Sequence, residues 1–291
     1  MPEYQITSAS EDWPRYIAIF NRLTKYAPYT IPLTPELVAH HISPTSVNGE
    51  HLILIGKNAQ EEGIIHVGYP HENNYGCGLI YLLFADGNNI AEFLLREAET
   101  WFKTKGLNVV RACNWRPNPY KYILHGQETY VWGGATATLN AYRRLNYDVD
   151  NDTIIMICDM PLEPAVNIPK IPDLILKEMD ESENDLVRTG SIKAFIGELQ
   201  VGYCHYYLLK SISAHFRYPL GQIAIDTKEE FHGRGLGNAL LMSAHRKLYQ
   251  AGARHVMLHT VQALFRAVKL YEKSGYKAQV IKGYCFSKEL R

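Results

Sequence analysis

The chain has no excess of charge of either sign: 30 lysines and arginines stand against 30 aspartates and glutamates. A surface that is neutral on average gathers neither nucleic acid nor an anionic membrane, so neither is expected as a partner. There is no apolar run of the roughly 18 residues that a bilayer-spanning helix needs. The opening residues Met1-Pro2-Glu3-Tyr4-Gln5 lack a basic segment followed by an apolar core, so no secretory leader is expected there. Cysteine is sparse. Cys77, Cys113, Cys158, Cys204 and Cys285 are odd in number, widely scattered and without a CxxC pair. That favours reduced thiols and a cytoplasmic location over a disulfide framework or a zinc site. His255 and His259 are four apart, a metal spacing only on a helix, and they fall in a strand pattern, so no metal is expected.

What is present is the composition of a soluble globular protein, 46% hydrophobic and 21% charged, in 291 residues, enough for two domains. Pro161, Pro164, Pro169 and Pro172 cluster in a stretch of little helical or strand periodicity. It reads as a linker, residues 161–172, between a first domain 1–160 and a second 173–291. The second half reads as a strand 174–179, a short helix 183–189 and a hairpin of strands 192–196 and 199–209. A strand 220–226, a helix 236–251, a strand 255–261, a helix 264–274 and an extended stretch 276–287 follow. The first half offers strands 52–57, 64–69 and 78–84, a helix 90–105 and a strand 108–112. After an insertion around 114–134 come a helix 137–145 and a strand 153–158. This order predicts mixed α/β domains on twisted sheets. The halves also read as a diverged repeat. Ala141-Tyr142-Arg143-Arg144-Leu145-Asn146-Tyr147 parallels Leu270-Tyr271-Glu272-Lys273-Ser274-Gly275-Tyr276, and Leu94-Leu95 parallels Leu240-Leu241.

The run Phe231-His232-Gly233-Arg234-Gly235-Leu236-Gly237-Asn238 is a glycine-rich turn passing into a helix whose Leu236, Leu240, Leu241, Ala244 and Leu248 share one face. Three glycines bare the backbone N–H groups, and the helix N-terminus adds partial positive charge. Together they form a seat for phosphate oxygens, with Arg234 as a mobile cation. Glycine at 235 and 237 permits a backbone approach that a Cβ would block. A tight strand-to-helix turn without ligand is the bland alternative. A GxGxxG loop starting at Gly233 would need glycine where Asn238 stands, and no Gly-Lys-Ser/Thr completes a Walker loop.

A second motif follows, Leu264-Phe265-Arg266-Ala267-Val268-Lys269-Leu270-Tyr271-Glu272-Lys273-Ser274-Gly275-Tyr276. In this order, with a helix and a strand between them, the two motifs resemble the signatures of the GNAT family of acyl-CoA-dependent N-acetyltransferases. The resemblance covers most of the second half and, through the degenerate copy, the whole chain in outline. It implies an α/β fold of two tandem GNAT-like domains, each a mixed, mostly antiparallel twisted sheet flanked by helices. It implies acetyl-CoA as co-substrate, its pyrophosphate on His232, Gly233, Arg234, Gly235, Leu236, Gly237 and Asn238. It also implies a pantetheine arm paired with the backbone at Ile225 and Thr227, in a gap between that strand and the one ending near Thr260. Tyr271 matches the tyrosine that protonates the departing thiolate. Its hydroxyl suits a sulfur whose pKa is near 8.5, and a core tyrosine is the plain alternative. His232 stands where the family has arginine or glutamine, and Leu264 where it has asparagine, so cofactor binding weaker than in a full-motif member is expected.

The implied reaction is direct attack of an amine on the thioester, with no cysteine in a nucleophile context. The acceptor is a small-molecule or peptide amine. His205, Gln222, Asp226 and His259 are candidate bases, none singled out. A non-catalytic coenzyme A-binding sensor or interaction protein is the alternative, and a longer acyl donor a weaker one. In the first half Asp86, Asn89 and Ala91 align with His232, Gly235 and Gly237, so no coenzyme A is expected there and Tyr142 reads as structural. Room for only one small helix between 179 and 192 leaves an acceptor wall to be supplied by Trp115, Tyr120, Tyr122, Tyr130 and Trp132, unless these simply pack the domains together. A homodimer through the degenerate domain is left open.

Overall fold

The structure, a computed structural model, describes residues 4–43, 49–69, 76–112, 118–213 and 219–290. The chain divides into two compact units, one running to Thr153 and taken up again from Ile281, the other Ile154–Val280.

The first unit contains β1 (Gln5–Ser8), α1 (Trp13–Leu23) and α2 (Pro35–Leu37), which widens into a π turn (Val38–Ile42). There follow β2 (Glu50–Lys57), β3 (Glu62–Tyr69), β4 (Gly78–Ala85), α3 (Asn88–Thr104), β5 (Val109–Ala112), β6 (Val131–Trp132) and α4 (Thr136–Arg144). β1 to β4 pair antiparallel in sequence order, and β5 runs parallel to β4. Ile90, Leu94, Ala98 and Phe102 form one stripe of α3, every fourth residue, and all are fully buried in this unit's core. Two of the three insertion tyrosines turn inward, while Tyr122 is half-buried. Tyr120 is fully buried, its hydroxyl shared with that of Tyr16 and 3.0 Å from His66 Nδ1; buried Tyr130 stacks on His125 with ring centroids 4.2 Å apart. Trp115 lies outside the described residues.

β7 (Asp148–Asp159) begins in the first unit and ends in the second. The second unit continues with β8 (Leu174–Glu183), β9 (Val187–Ile196), β10 (Leu199–Leu209), α5 (Lys210–Ser213), β11 (Leu220–Thr227), α6 (Leu236–Gln250), β12 (His255–Val261) and α7 (Phe265–Lys273). β8 to β11 are antiparallel and β12 is parallel to β11. Leu236, Leu240, Leu241, Ala244 and Leu248 of α6 pack with Ile192, Ala194, Cys204 and Ile223 of the sheet. β13 (Lys277–Glu289) starts in this unit, and from Ile281 it belongs to the first, where Phe286↔Ala112 to Glu289↔Val109 pair it with β5.

The repeat is visible element by element. α4 and α7 have the same length and lie 129 residues apart. Each ends in a left-handed residue, Asn146 (φ 57°) and Gly275 (φ 90°), followed by a tyrosine whose amide bonds back, Tyr147 to Tyr142 O and Tyr276 to Tyr271 O, both 3.0 Å.

One expectation is corrected. Residues 183–189 are not a helix. Asn184 Oδ1 accepts from the amides of Leu186 and Val187, both at 2.9 Å, and closes a tight turn between β8 and β9. The β-branched Thr189 then pairs with Ser182, and Val187 with Leu209. The second unit thus has no helix between its first two strands, whereas the first unit has α1 and α2 there.

Candidate functional site

β11 pairs with β12 from Leu220↔His255 to Ile223↔Leu258. Beyond that, β11 runs on to Thr227 and β12 to Val261, so the two strands part at their C-terminal ends. On its other edge β11 stays paired, with Cys204↔Ile225 and Gly202↔Thr227. The open edge therefore carries the backbone of Ile225 and Thr227.

From Thr227 the chain passes through a single 3-10 turn (Glu229–Phe231) to the glycine loop. Gly233 (φ 75°) and Gly235 (φ 86°) are both left-handed, a conformation that favours glycine. Gly235 is the N-cap of α6, and its carbonyl accepts from Ala239 N at 3.1 Å. No side chain caps this helix. Among the described residues, the amides of Leu236, Gly237 and Asn238 meet no side-chain acceptor, which leaves the first-turn donors and the helix dipole to an incoming anion. Gly237 has a packing role as well: a Cβ there would come within 3.2 Å of Leu270 Cδ2. The exposed guanidinium of Arg234 lies 5.7 Å from the Phe231 ring centre. His232 Nε2 is 3.1 Å from the Thr227 carbonyl, so its ring N–H ties the loop back to the strand end.

Tyr271 is 6% exposed in the second core, its ring edge-on to Tyr276 at 5.8 Å. Tyr276 OH shares a 2.6 Å hydrogen bond with His245 Nε2 from α6. Burial lowers the His245 pKa to about 4 and raises that of Tyr276, so the bond joins two neutral groups. Nothing in the motif pattern singles out this pair, because His245 lies on α6 and Tyr276 in the turn between α7 and β13. Leu264 is the N-cap of α7, 55% exposed and without a capping side chain.

Gly202 and Cys204 of β10 face α6, where a Cβ at Gly202 would stand 3.0 Å from Leu240 Cδ1. Strand alternation sends Tyr203, His205 and Tyr207 to the opposite face. Gln222 and Asp226 of β11 join them there, as does His259 of β12. The four candidate bases thus share one face. Asp226 is exposed and Gln222 is 1% exposed. No metal-binding group of three or more His, Cys, Asp or Glu occurs among the described residues.

The first unit treats the matching helix differently. Its N-cap is Gly87, and the carboxylate of Glu61, in the β2–β3 turn, accepts from Ile90 N at 2.9 Å and from Asn89 Nδ2 at 3.3 Å. A Cβ on Gly87 would fall 2.0 Å from Glu61 Cδ, so the glycine makes room for the acid. Asp86 accepts from Glu62 N at 2.7 Å and pairs with Arg22 at 2.9 Å. This helix end is closed by the chain's own negative charge.

The sequence profile of the acetyltransferase (GNAT) family matches residues 166–276. No curated protein matches the chain. Among solved structures, a tandem GNAT protein from the clavulanic acid biosynthesis pathway is 11% identical, with TM-score 0.67, covering 100% of this chain and 99% of its own. A GCN5-related N-acetyltransferase from Sphaerobacter thermophilus is 14% identical, with TM-score 0.63 and coverage of 99% and 96%. The glucosamine N-acetyltransferase region of a fungal multi-domain GH3 beta-N-acetylglucosaminidase is 12% identical, with TM-score 0.69; the match spans 99% of this chain and 38% of that one. At such identities the structural likeness speaks for fold, and the profile for family. Residues 166–276 thus carry the match to the acetyltransferase (GNAT) family, and the whole chain has the fold of a tandem GNAT protein, two GNAT-like units in succession.

Proposed function

We propose that the protein is an acetyl-CoA-dependent N-acetyltransferase whose second unit carries the activity. The observation that supports this most is the contrast between equivalent helices: α6 begins with free amides behind two left-handed glycines, while α3 is closed by Glu61. A pyrophosphate on the amides of residues 236–238 would place the pantetheine arm along the open edge of β11. The thioester would then lie where β11 and β12 part. An amine reaching it from the face of His205, Gln222, Asp226 and His259 attacks the carbonyl carbon. The C–N bond forms, the C–S bond breaks, and the thiolate takes a proton from Tyr271 while the amine loses one to a base on that face or to water. The acceptor is a small-molecule or peptide amine. The free thiols Cys77, Cys158 and Cys204 suit a cytoplasmic enzyme.

Calorimetric titration with acetyl-CoA, wild type beside Gly235→Asp, tests the reading. One saturable site abolished by the substitution is expected. Two sites would mean that the first unit also binds. No binding in the wild type would sink the proposal. The exposed, uncapped Leu264 favours a second reading, a coenzyme A-binding sensor without turnover; tight binding with no acyl transfer to any amine of a panel would support it.

A further inference from the structure

The proline-rich segment before β8 is not free of the fold. Met160 N bonds to Arg254 O at 2.8 Å, just past the end of α6. Glu163 Oε1 then accepts from Gln250 Nε2 at 2.9 Å, and the Pro164 carbonyl accepts from Arg246 Nε at 3.3 Å, both in the last turns of α6. Further on, Pro169 reaches the other end of the helix, where a Cβ on Gly235 would stand 3.5 Å from Pro169 Cβ. The lengths agree. Gly235 to Gln250 spans roughly 22 Å at 1.5 Å per residue, and six extended residues from 163 to 169 span about 20 Å. The segment is therefore a taut strap laid antiparallel along α6. Prolines suit it, because they hold an extended φ and bring no N–H in need of a partner. At its end Ile171 N bonds to Pro169 O at 2.8 Å, a three-residue turn with Lys170 at its apex. Ile171, partly buried, packs against the second core, while Lys170 is exposed and Ile168 is 60% exposed.

The strap thus delivers an apolar residue, a proline and a lysine to the rim of the glycine loop. Resting on the acyl-CoA reading above, we propose that this strap is the second wall of the donor site. The nucleotide end of coenzyme A must leave the loop across its rim. Ile168 and Pro169 offer apolar surface to the base, and Lys170 offers charge to the phosphate on the ribose 3′ oxygen.

The test is calorimetry on the full chain with coenzyme A and with 3′-dephospho-coenzyme A, for wild type, Lys170→Gln and Ile168→Ser. Wild type is expected to prefer coenzyme A by at least about threefold, the range of an exposed charge pair. Lys170→Gln should erase that preference by weakening coenzyme A alone. Ile168→Ser should weaken both ligands alike. Both positions are exposed, so unfolding midpoints should stay put. If wild type binds and Gly235→Asp abolishes binding, yet both strap variants keep wild-type affinities for both ligands, the strap is a tether only and the proposal fails while the donor reading stands. If wild type binds neither ligand, both fall.

Discussion

Glycine and glutamate divide the roles of the two helix starts. At α3 the capping acid comes from a distant turn, and Glu61→Ala should cost about 1 kcal/mol, the usual value of a lost N-cap bond. Urea unfolding would show it, and an unchanged midpoint would mean that water replaces the carboxylate without loss. The buried histidines set an acid limit. Burial depresses the pKa of both His245 and His66. Below about pH 6.5 the unfolded chain takes up protons that these folded imidazoles refuse, so stability present above that pH is lost as pH falls toward 4. For His245 the loss is on the order of 3 kcal/mol when complete. The thermal midpoint should drop between pH 7 and 4.5, and His245→Gln should flatten the drop; a parallel drop in the variant would remove His245 from the account. At this scale the glycine loop was legible because its meaning is local: two φ values and one helix start. Glu61 and the His245–Tyr276 bond were not, because each joins residues that no periodicity connects.

Among the elements, α7 invites the most direct test. Its N-cap is a leucine, and Leu264→Asn should stabilise the helix by about 1 kcal/mol. If the same side chain serves the donor, acetyl-CoA affinity should rise with it; a higher melting temperature at constant affinity would confine Leu264 to capping. Tyr271→Phe separates chemistry from packing. A proton donor lost from the transition state should lower kcat by about a hundredfold with KM nearly unchanged. A tyrosine that only packs would leave kcat alone. Long amphipathic helices such as α3 and α6 were legible from spacing. The expected helix at 183–189 was not one, because a single Asn184 turn and the ladder beside it outweigh a weak local pattern. The second unit therefore has no counterpart, between its first two strands, of the α1 and α2 that stand there in the first.

For the whole chain, the shared order of elements made the repeat readable, but the assignment of β13 did not follow from it. The sequence boundary at 160 leaves Phe286 with the second half, yet Phe286 is 1% exposed in the first core, stacked on Tyr142 at 4.6 Å. Phe286→Ala should therefore cost about 3 kcal/mol or more, and at the expense of the first unit. A fragment of residues 1–160 should show no cooperative unfolding transition by circular dichroism until a peptide of residues 277–290 is added. A sharp transition in the fragment alone would make the strand dispensable. The strand also imposes an order in time. Residues from Ile281 are made only after the entire second unit has been synthesised. The first unit to be synthesised is then the last to be completed, and until then the edge of β5 that β13 will cover waits open, a place where a chaperone or a second nascent chain can intervene.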